Sequence, residues 1–190
     1  MANPRPRKDV WFVSDEHYGH ENIIKYCGRP FSSVQEMDTT LIANHNKLVK
    51  DEDWVYHLGD FAYTNKREYV SRLRGIHVLI AGNHDHFIKQ ADKEAFKIIY
   101  EAGYMFQDCG IAIWLSHYPH YVWPTVYQVA TAHFFGHVHN NLDKSYHPLA
   151  INMCVEMWKY TPVHWPRLYN KLMSRFKNYQ PAALRLESKW

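Results

Sequence analysis

The apolar residues in the first half of the chain follow two different spacings in turn. Short continuous apolar runs, such as 10–14 and 54–58, are typical of buried strands. The segments between them show helical spacing, and the one that begins at Ser33 opens with a capping box completed by Glu36. The predicted strands of this half are 10–14, 54–58 and 76–80, and the predicted helices are 33–50, 65–74 and 91–102.

Strand-like runs dominate the second half, and one helical segment closes it. The predicted strands are 104–107, 111–115, 129–135 and 149–155, and the predicted helix is 166–177. Strands and helices alternate in the first half, and strands dominate the second. This order predicts an α/β protein with sheets inside and helices outside. Since no Pro/Gly linker divides the chain, we expect one domain over 1–190, with a motif-bearing core at about 9–155 and a C-terminal helix at about 166–177.

The composition excludes several classes of protein. The chain of 190 residues is 46% hydrophobic and 22% charged, which is ordinary for a globular protein. No apolar window is long enough for a transmembrane helix, and no secretory signal is recognisable. The three cysteines are far apart and form no CxxC pair, which predicts a reducing, cytoplasmic location. A net charge of +3 is too weak to argue for duplex nucleic-acid binding, whereas 14 histidines favour a metal site.

Metal-binding side chains follow the end of each strong predicted strand. In α/β sheets the carboxyl ends of the strands carry loops that project polar groups into a shared crevice. If these strand ends lie side by side, their polar groups converge. The residues concerned are Asp15, His17, Asp60, Asn83, His84, Asp85, His117, His137 and His139.

The spacing and number of these side chains indicate two ions. Asp15-x-His17 and His137-x-His139 each place two side chains on the same side of an extended chain. A glycine precedes three of the polar groups, where it allows a sharp turn beside an ion. Two carboxylates, one amide and four imidazoles are too many for one tetrahedral zinc. Nitrogen and oxygen ligands without thiolate suit manganese, iron, zinc or cobalt better than calcium.

In this order, "DEH" (15–17), "GD" (59–60), "GNHD" (82–85), "SH" (116–117) and "GHVH" (136–139) resemble the motifs of the calcineurin-like metallophosphoesterase superfamily. The early stretch "HYGHENIIKYCGRPFSSVQEM" is similar to a small single-domain branch found in bacteria and phages. The resemblance implies a four-layer αββα sandwich, with two mixed sheets flanked by helices, and a dinuclear metal centre.

The resemblance also implies a role for each motif residue. Asp60 would bridge the two ions, His84 would face the substrate phosphate, and Asp85 would orient His84 through a hydrogen bond. The two ions would be divalent, with manganese expected first and iron, zinc, cobalt or nickel as alternatives. The first ion would be held by Asp15, His17 and His139, and the second by Asn83, His117 and His137.

The implied activity is hydrolysis of a phosphoester by a metal-bridging hydroxide. A phosphodiesterase that acts on nucleotides, oligonucleotide ends or other exposed phosphoesters is the first expectation. A phosphomonoesterase or a nucleotide pyrophosphatase is the alternative within the same class. A non-catalytic scaffold of the same fold, used for protein contacts, is the alternative from another class. Nothing in the sequence indicates a membrane partner or an oligomeric state.

Three further residues have two interpretations each. His20 and Asn22 follow the first motif closely and could contact substrate, or they could cap a short helix at 22–26. Arg29, in "CGRPF", could bind a phosphate oxygen or could have a structural role beside its proline. The basic stripe of the C-terminal helix is expected to be a solvated helix face.

Overall fold

Two mixed β-sheets form the interior of the protein, whose structure is a computed structural model described here for residues 7–85, 90–126, 130–141 and 147–179. The elements run in the order β1 (Val10–Val13), α1 (Glu21–Tyr26), α2 (Val34–Leu48), β2 (Trp54–His57), α3 (Lys66–Ser71), β3 (Ile76–Ile80), α4 (Gln90–Lys93), β4 (Ile98–Tyr100), β5 (Tyr104–Asp108), β6 (Ile111–Leu115), β7 (Thr131–Phe135), β8 (Ala150–Asn152), a 3₁₀-helix (Val155–Trp158), β9 (Val163–His164) and α5 (Trp165–Phe176).

Each sheet is parallel except for one edge strand. The first sheet has the order β4-β3-β2-β1-β9, in which only β9 is antiparallel. The second has the order β5-β6-β7-β8, in which only β5 is antiparallel. Strands β1 and β7 are buried along their whole length, as expected of parallel strands covered on both faces. Burial on both faces therefore explains the continuous apolar runs in the sequence.

The inner faces of the two sheets pack against each other, and α5 completes this core. Phe12 of β1 contacts the rings of Phe106 and Phe134 edge-on across the interface. Trp165 and Leu168 of α5 are fully buried in the same cluster. The outer face of the first sheet forms a second cluster with α1, α2 and α3.

The expected four-layer sandwich is wrong, because the second sheet is not flanked by helices in the described part of the chain. The connections of β6 to β7 and of β7 to β8 contain no helix in their described parts, so these parallel strands follow one another as in a β-solenoid. Loop side chains cover this face instead, where Trp123 contacts His133 and His147. The loop at 117–126 is rich in proline and aromatic residues, which gives it no helical period.

The predicted helix at 91–102 is also wrong in most of its length. Helix α4 ends at Lys93, and Ile98–Tyr100 forms the parallel edge strand β4 beside β3. β-Branched Ile98 and Ile99 favour a strand once a neighbour is available. The predicted strand 149–155 ends at Asn152, where the 3₁₀-helix follows.

None of the helices in the described residues has both the length and the apolar character needed to cross a bilayer.

Candidate metal centre

The loops that follow β1, β2, β3, β6 and β7 meet at one edge of the two sheets. Backbone hydrogen bonds join them: the Asp15 amide donates to the carbonyl of Gly59 at 3.1 Å, and the Gly136 amide donates to that of His117 at 2.8 Å. An isolated parallel bridge between Ser14 and Cys154 links the end of β1 to the chain that follows β8. All seven side chains predicted as metal ligands project from these loops.

Five of the seven have a left-handed backbone. This conformation costs a non-glycine residue about 1–3 kcal/mol, so it persists only where the surrounding structure enforces it. The φ angles are 59° at Asp15, 55° at His17, 53° at Asp60, 70° at His137 and 48° at His139. These five are among the eleven non-glycine residues with positive φ in the described chain, and backbone strain of this kind recurs at functional sites.

The glycines of the motifs are needed for two different reasons. Gly59 has a φ of 91°, as the sequence predicts for a sharp turn. Gly82 and Gly136 are needed because the loops approach too closely for a side chain. A Cβ atom at Gly82 would collide with the Asp60 carboxylate, and one at Gly136 would collide with Ser14 and the Asp15 carboxylate.

A first group of ligand atoms surrounds Asp15. His17 Nε2 lies 3.8 Å from Asp15 Oδ1 and 3.5 Å from Asp60 Oδ2, and His139 Nε2 lies 3.6 Å from Asp15 Oδ1. The other oxygen of Asp15 accepts hydrogen bonds from the Ser14 hydroxyl at 2.6 Å and the His137 amide at 2.9 Å. Oδ1 of Asp15 and Nε2 of His17 are buried without a hydrogen-bond partner among the described residues.

A second group surrounds His117. Its Nδ1–H donates to the Leu58 carbonyl at 2.8 Å, which leaves the Nε2 lone pair facing the site. Around Nε2 lie Asn83 Oδ1 at 3.0 Å, His137 Nδ1 at 3.2 Å and Asp60 Oδ2 at 3.5 Å. These atoms are acceptors that would repel one another unless a cation or a proton lay between them.

The residues of both groups therefore fit metal ions. Buried acceptors without donors are costly, and a bound cation satisfies them. Burial raises the pKa of Asp15 and lowers the pKa of His17, so burial favours the uncharged form of each group. Burial alone would lower the pKa of His139, but hydrogen bonds to Cys27 and Glu156 and the charge of Asp15 raise it to about 10. A metal at His139 must displace that proton.

Glu156 orients His139, a role that the sequence did not predict. The Nδ1–H of His139 donates to Glu156 Oε1 at 3.0 Å, so that Nε2 faces Asp15. The same oxygen accepts from Arg29 Nη2 at 2.7 Å and from Arg29 Nε at 2.9 Å. A carboxylate behind a metal-binding imidazole is a common supporting arrangement in metalloproteins.

Arg29 lies behind the candidate ligands and not in the pocket. It is 4% exposed, and its guanidinium also donates to the carbonyls of Asp15 at 2.7 Å and Glu16 at 2.9 Å. These contacts favour the structural interpretation of Arg29. His20 and Asn22 line the pocket, and His20 stands at the N-cap position of α1 without a side-chain capping bond.

His84 reaches the pocket, whereas Asp85 is buried beneath it. The His84 side chain is 39% exposed, and its Nε2 lies 3.9 Å from Asp60 Oδ2. Asp85 Oδ2 accepts from the amides of Asp60 at 2.7 Å and Gly82 at 2.9 Å. Its Oδ1 lies 3.4 Å from the ammonium of buried Lys66, which also donates to the His84 carbonyl at 3.3 Å. Asp85 therefore holds two loops together through the amides of Asp60 and Gly82 and the ammonium of Lys66, and these contacts are not with the His84 imidazole.

Cys154 touches the site through a hydrogen bond. Its Sγ donates to Asp15 Oδ2 at 3.2 Å, and burial raises its thiol pKa well above the usual value. It also stands with Asp15 and His139 in a group of side chains that can hold a metal ion. The seven predicted ligands themselves offer only nitrogen and oxygen atoms.

Comparisons with known proteins identify relatives of this chain but no activity. No family model matches it. The uncharacterized protein MJ1445 of Methanocaldococcus jannaschii is 40% identical over 168 residues, which cover 82% of this chain and 86% of the relative. The crystal structure of AQ665, a protein of unknown function from Aquifex aeolicus, has a TM-score of 0.68 at 30% identity and covers 86% of this chain and 98% of that one. The chain belongs to the family of these two proteins.

More distant structures include enzymes. The Pseudomonas putida nuclease MPE has a TM-score of 0.44 at 20% identity, over 70% of this chain and 62% of that chain. This likeness is too weak to support an argument about chemistry. The case for a function therefore rests on the side chains of this chain's own candidate site.

Proposed function

We propose that the protein is a phosphoester hydrolase of the calcineurin-like metallophosphoesterase superfamily that works with two divalent metal ions. The observation that carries the proposal is the position of Asp60 between the two groups of ligand atoms. Its Oδ2 lies 3.5 Å from His17 Nε2 and 3.5 Å from His117 Nε2. Its Oδ1 accepts from the His84 amide at 2.9 Å, which fixes the carboxylate in this orientation.

Asp60 can therefore serve two ions at once. The residues that would hold the first ion with it are Asp15, His17 and His139, and those that would hold the second are Asn83, His117 and His137. Manganese is the expected metal, with iron, zinc, cobalt or nickel as alternatives. When bound, such a pair of ions makes water a nucleophile at neutral pH and offsets the charge of the phosphoryl oxygens.

His84 is the residue that can act on the substrate directly. Its partly exposed ring lines the pocket beside Asp60, and its amide is fixed by the Asp60 carboxylate. From this position the imidazole can donate a hydrogen bond to a non-bridging phosphoryl oxygen or a proton to the leaving oxygen. Lys66 and Asp85 hold the loop that carries His84, which keeps the ring near the ligands.

We infer that a phosphodiester is preferred over a phosphomonoester. The described residues that line it include no lysine and no arginine. A monoester dianion gains more than a diester monoanion from charge-assisted hydrogen bonds to such cations. A diester carries a single negative charge and asks less of the protein, so diester hydrolysis is the proposed activity.

Hydrolysis of bis(p-nitrophenyl) phosphate with added Mn²⁺, compared with p-nitrophenyl phosphate, tests the proposal. We expect the diester to be the better substrate, and His84→Ala to lose turnover while a matched His164→Ala control keeps it. His164 lies in β9, outside this pocket, and its Nε2–H donates to the Lys8 carbonyl at 2.7 Å. No turnover of either ester with any of the five metals would favour a non-catalytic scaffold.

A further inference from the structure

Three aromatic side chains, His20, Tyr26 and Tyr63, form one side of the pocket and are called the aromatic wall below. They line the same cavity of about 340 Å³ as the candidate ligands His17, Asp60 and His137. Tyr26 is 72% exposed and Tyr63 is 56% exposed, although both have large apolar rings. Contiguous exposed aromatic surface beside a reactive centre is a mark of ligand binding.

The rings form a continuous surface that extends to His84. Tyr63 stacks on His20 with ring centroids 4.7 Å apart and an angle of 13° between the planes. Tyr26 meets His20 edge-on at 6.4 Å, and Tyr63 lies 6.4 Å from the His84 ring. Because His20 covers one face of Tyr63 and the residue is still more than half exposed, Tyr63 has aromatic surface available for a planar ligand.

We propose that the aromatic wall stacks against the nucleobase of a nucleoside phosphoester; this rests on the proposed function, because the phosphate would lie at the candidate metal centre. A nucleobase is a flat π-system carried one sugar away from the phosphate, and every base can stack on tyrosine regardless of sequence. The Asn22 amide, on the same cavity wall, can hydrogen-bond to a base edge.

The size and charge of the cavity define the substrate further. A volume of about 340 Å³ lies near the lower limit of roughly 300 Å³ for ligand pockets, which suits one nucleoside unit. The described lining has no lysine or arginine to follow a phosphate backbone. The substrate class is therefore a nucleoside phosphoester presented as a free nucleotide derivative or as the end of a strand, and not the interior of a duplex.

A purely structural role of Tyr63 makes a different prediction. Tyr63 supports His20, whose ring nitrogen lies 3.3 Å from that of His17, so its loss could disturb the ligands themselves. Such damage would lower hydrolysis of all phosphodiesters equally. Loss of base stacking would lower only the preference for a substrate that has a base.

The test compares thymidine 5′-(p-nitrophenyl phosphate) with methyl p-nitrophenyl phosphate, which have the same leaving group. We expect wild-type kcat/KM to favour the thymidine ester at least about tenfold, which is within the range that stacking on one aromatic residue supplies. Tyr63→Ala should bring the ratio close to one, while Tyr63→Phe should keep it. Tyr121→Ala is the matched control, because Tyr121 is 77% exposed and does not line the pocket.

A binding measurement gives a readout independent of turnover. Calorimetric titration should show thymidine 5′-monophosphate binding at least about tenfold more tightly than 2-deoxyribose 5-phosphate, with the difference lost in Tyr63→Ala. If a short single-stranded oligothymidylate binds more tightly than thymidine 5′-monophosphate, the site is assigned to the end of a strand. If the two bind equally, the site is assigned to a mononucleotide.

The proposal would be overturned by a wild-type ratio near one, or by equal losses on both esters in Tyr63→Ala. In either case turnover of the methyl ester would leave the proposed function standing. If neither ester is hydrolysed with any metal, the proposed function fails, and equal affinity for the two monophosphates would then overturn the aromatic wall as well.

Discussion

Replacing Glu156 by Gln tests whether the carboxylate behind His139 tunes the metal site. Glutamine has the same shape and keeps an oxygen that can accept from His139 and from Arg29, but it carries no charge. In the structure one oxygen, Oε1, accepts the His139 bond at 3.0 Å and the Arg29 bond at 2.7 Å. Only the bond to His139 would bear directly on a bound metal, since it sets the orientation and basicity of the ring.

The size of the effect follows from the change in that bond. A hydrogen bond to a charged group contributes about 1.5–3 kcal/mol, and one between neutral groups about 0.5–1.5 kcal/mol. The difference of about 1–1.5 kcal/mol corresponds to roughly a tenfold loss of metal affinity. Mutation of such supporting residues typically weakens metal binding by about 10–100-fold, and the expected loss lies at the lower end of that range.

The assay is calorimetric titration of chelator-stripped protein with Mn²⁺ over a range of pH, from which the affinity of the unprotonated His139 form is taken, because loss of the Glu156 charge also lowers the pKa of His139 and eases displacement of its proton. Glu36→Gln is the matched control, because that carboxylate lies at the start of α2, away from the candidate ligands, and accepts from the amide and hydroxyl of Ser32. Thermal unfolding of the metal-free variant checks that buried Arg29, which loses its charged partner, has not unfolded the protein. A folded Glu156→Gln variant with wild-type Mn²⁺ affinity would refute the reasoning.

Three further predictions concern catalysis, metal binding and stability. His84→Ala should retain both ions by elemental analysis but lose roughly 10²–10⁴-fold in kcat; a wild-type rate would count against its role. Asp60→Ala should lose metal, because it removes the carboxylate between the two ligand groups, and two ions still bound would contradict bridging. Burial lowers the pKa of His133 from 6.5 to about 4, so between these values the unfolded chain binds more protons and stability falls as the pH falls. From pH 7 to pH 5 this residue alone should cost about 2 kcal/mol in urea unfolding, and His133→Leu should show a correspondingly weaker pH dependence.

The sequence predicted those parts of the fold that depend on local pattern. The first three strands are confirmed to within a residue or two, because continuous apolar runs between turn residues specify buried parallel strands. The spacing of 91–102 predicts a helix where β4 forms, because the identity of that strand depends on pairing with β3 and not on its own spacing. The absence of helices on the outer face of the second sheet, in the described residues, also follows from loop contacts that no local pattern announces.

The candidate site shows the same division. The seven predicted ligands come together because the carboxyl ends of parallel strands meet at one sheet edge, which a sequence motif can indicate. Glu156 is 127 positions from Arg29 and belongs to none of the motifs, whereas a structural role is one of the two interpretations that the sequence offers for Arg29. Lys66 likewise donates a hydrogen bond to the carbonyl of His84, which lies 18 positions away in the loop that it supports. Supporting residues of this kind become visible only when the distant contacts are known, although a buried Arg or Lys would be a signal to look for them.

Titration of metal-free protein with Mn²⁺, followed by bound metal and by hydrolysis of bis(p-nitrophenyl) phosphate in the same samples, tests the central claim most directly. Because Asp60 lies between the two ligand groups, we expect two ions per chain and full turnover only as the second site fills. Binding of one ion or none, with no hydrolysis when iron, zinc, cobalt or nickel replaces manganese, would contradict the claim that this is a dinuclear phosphoester hydrolase.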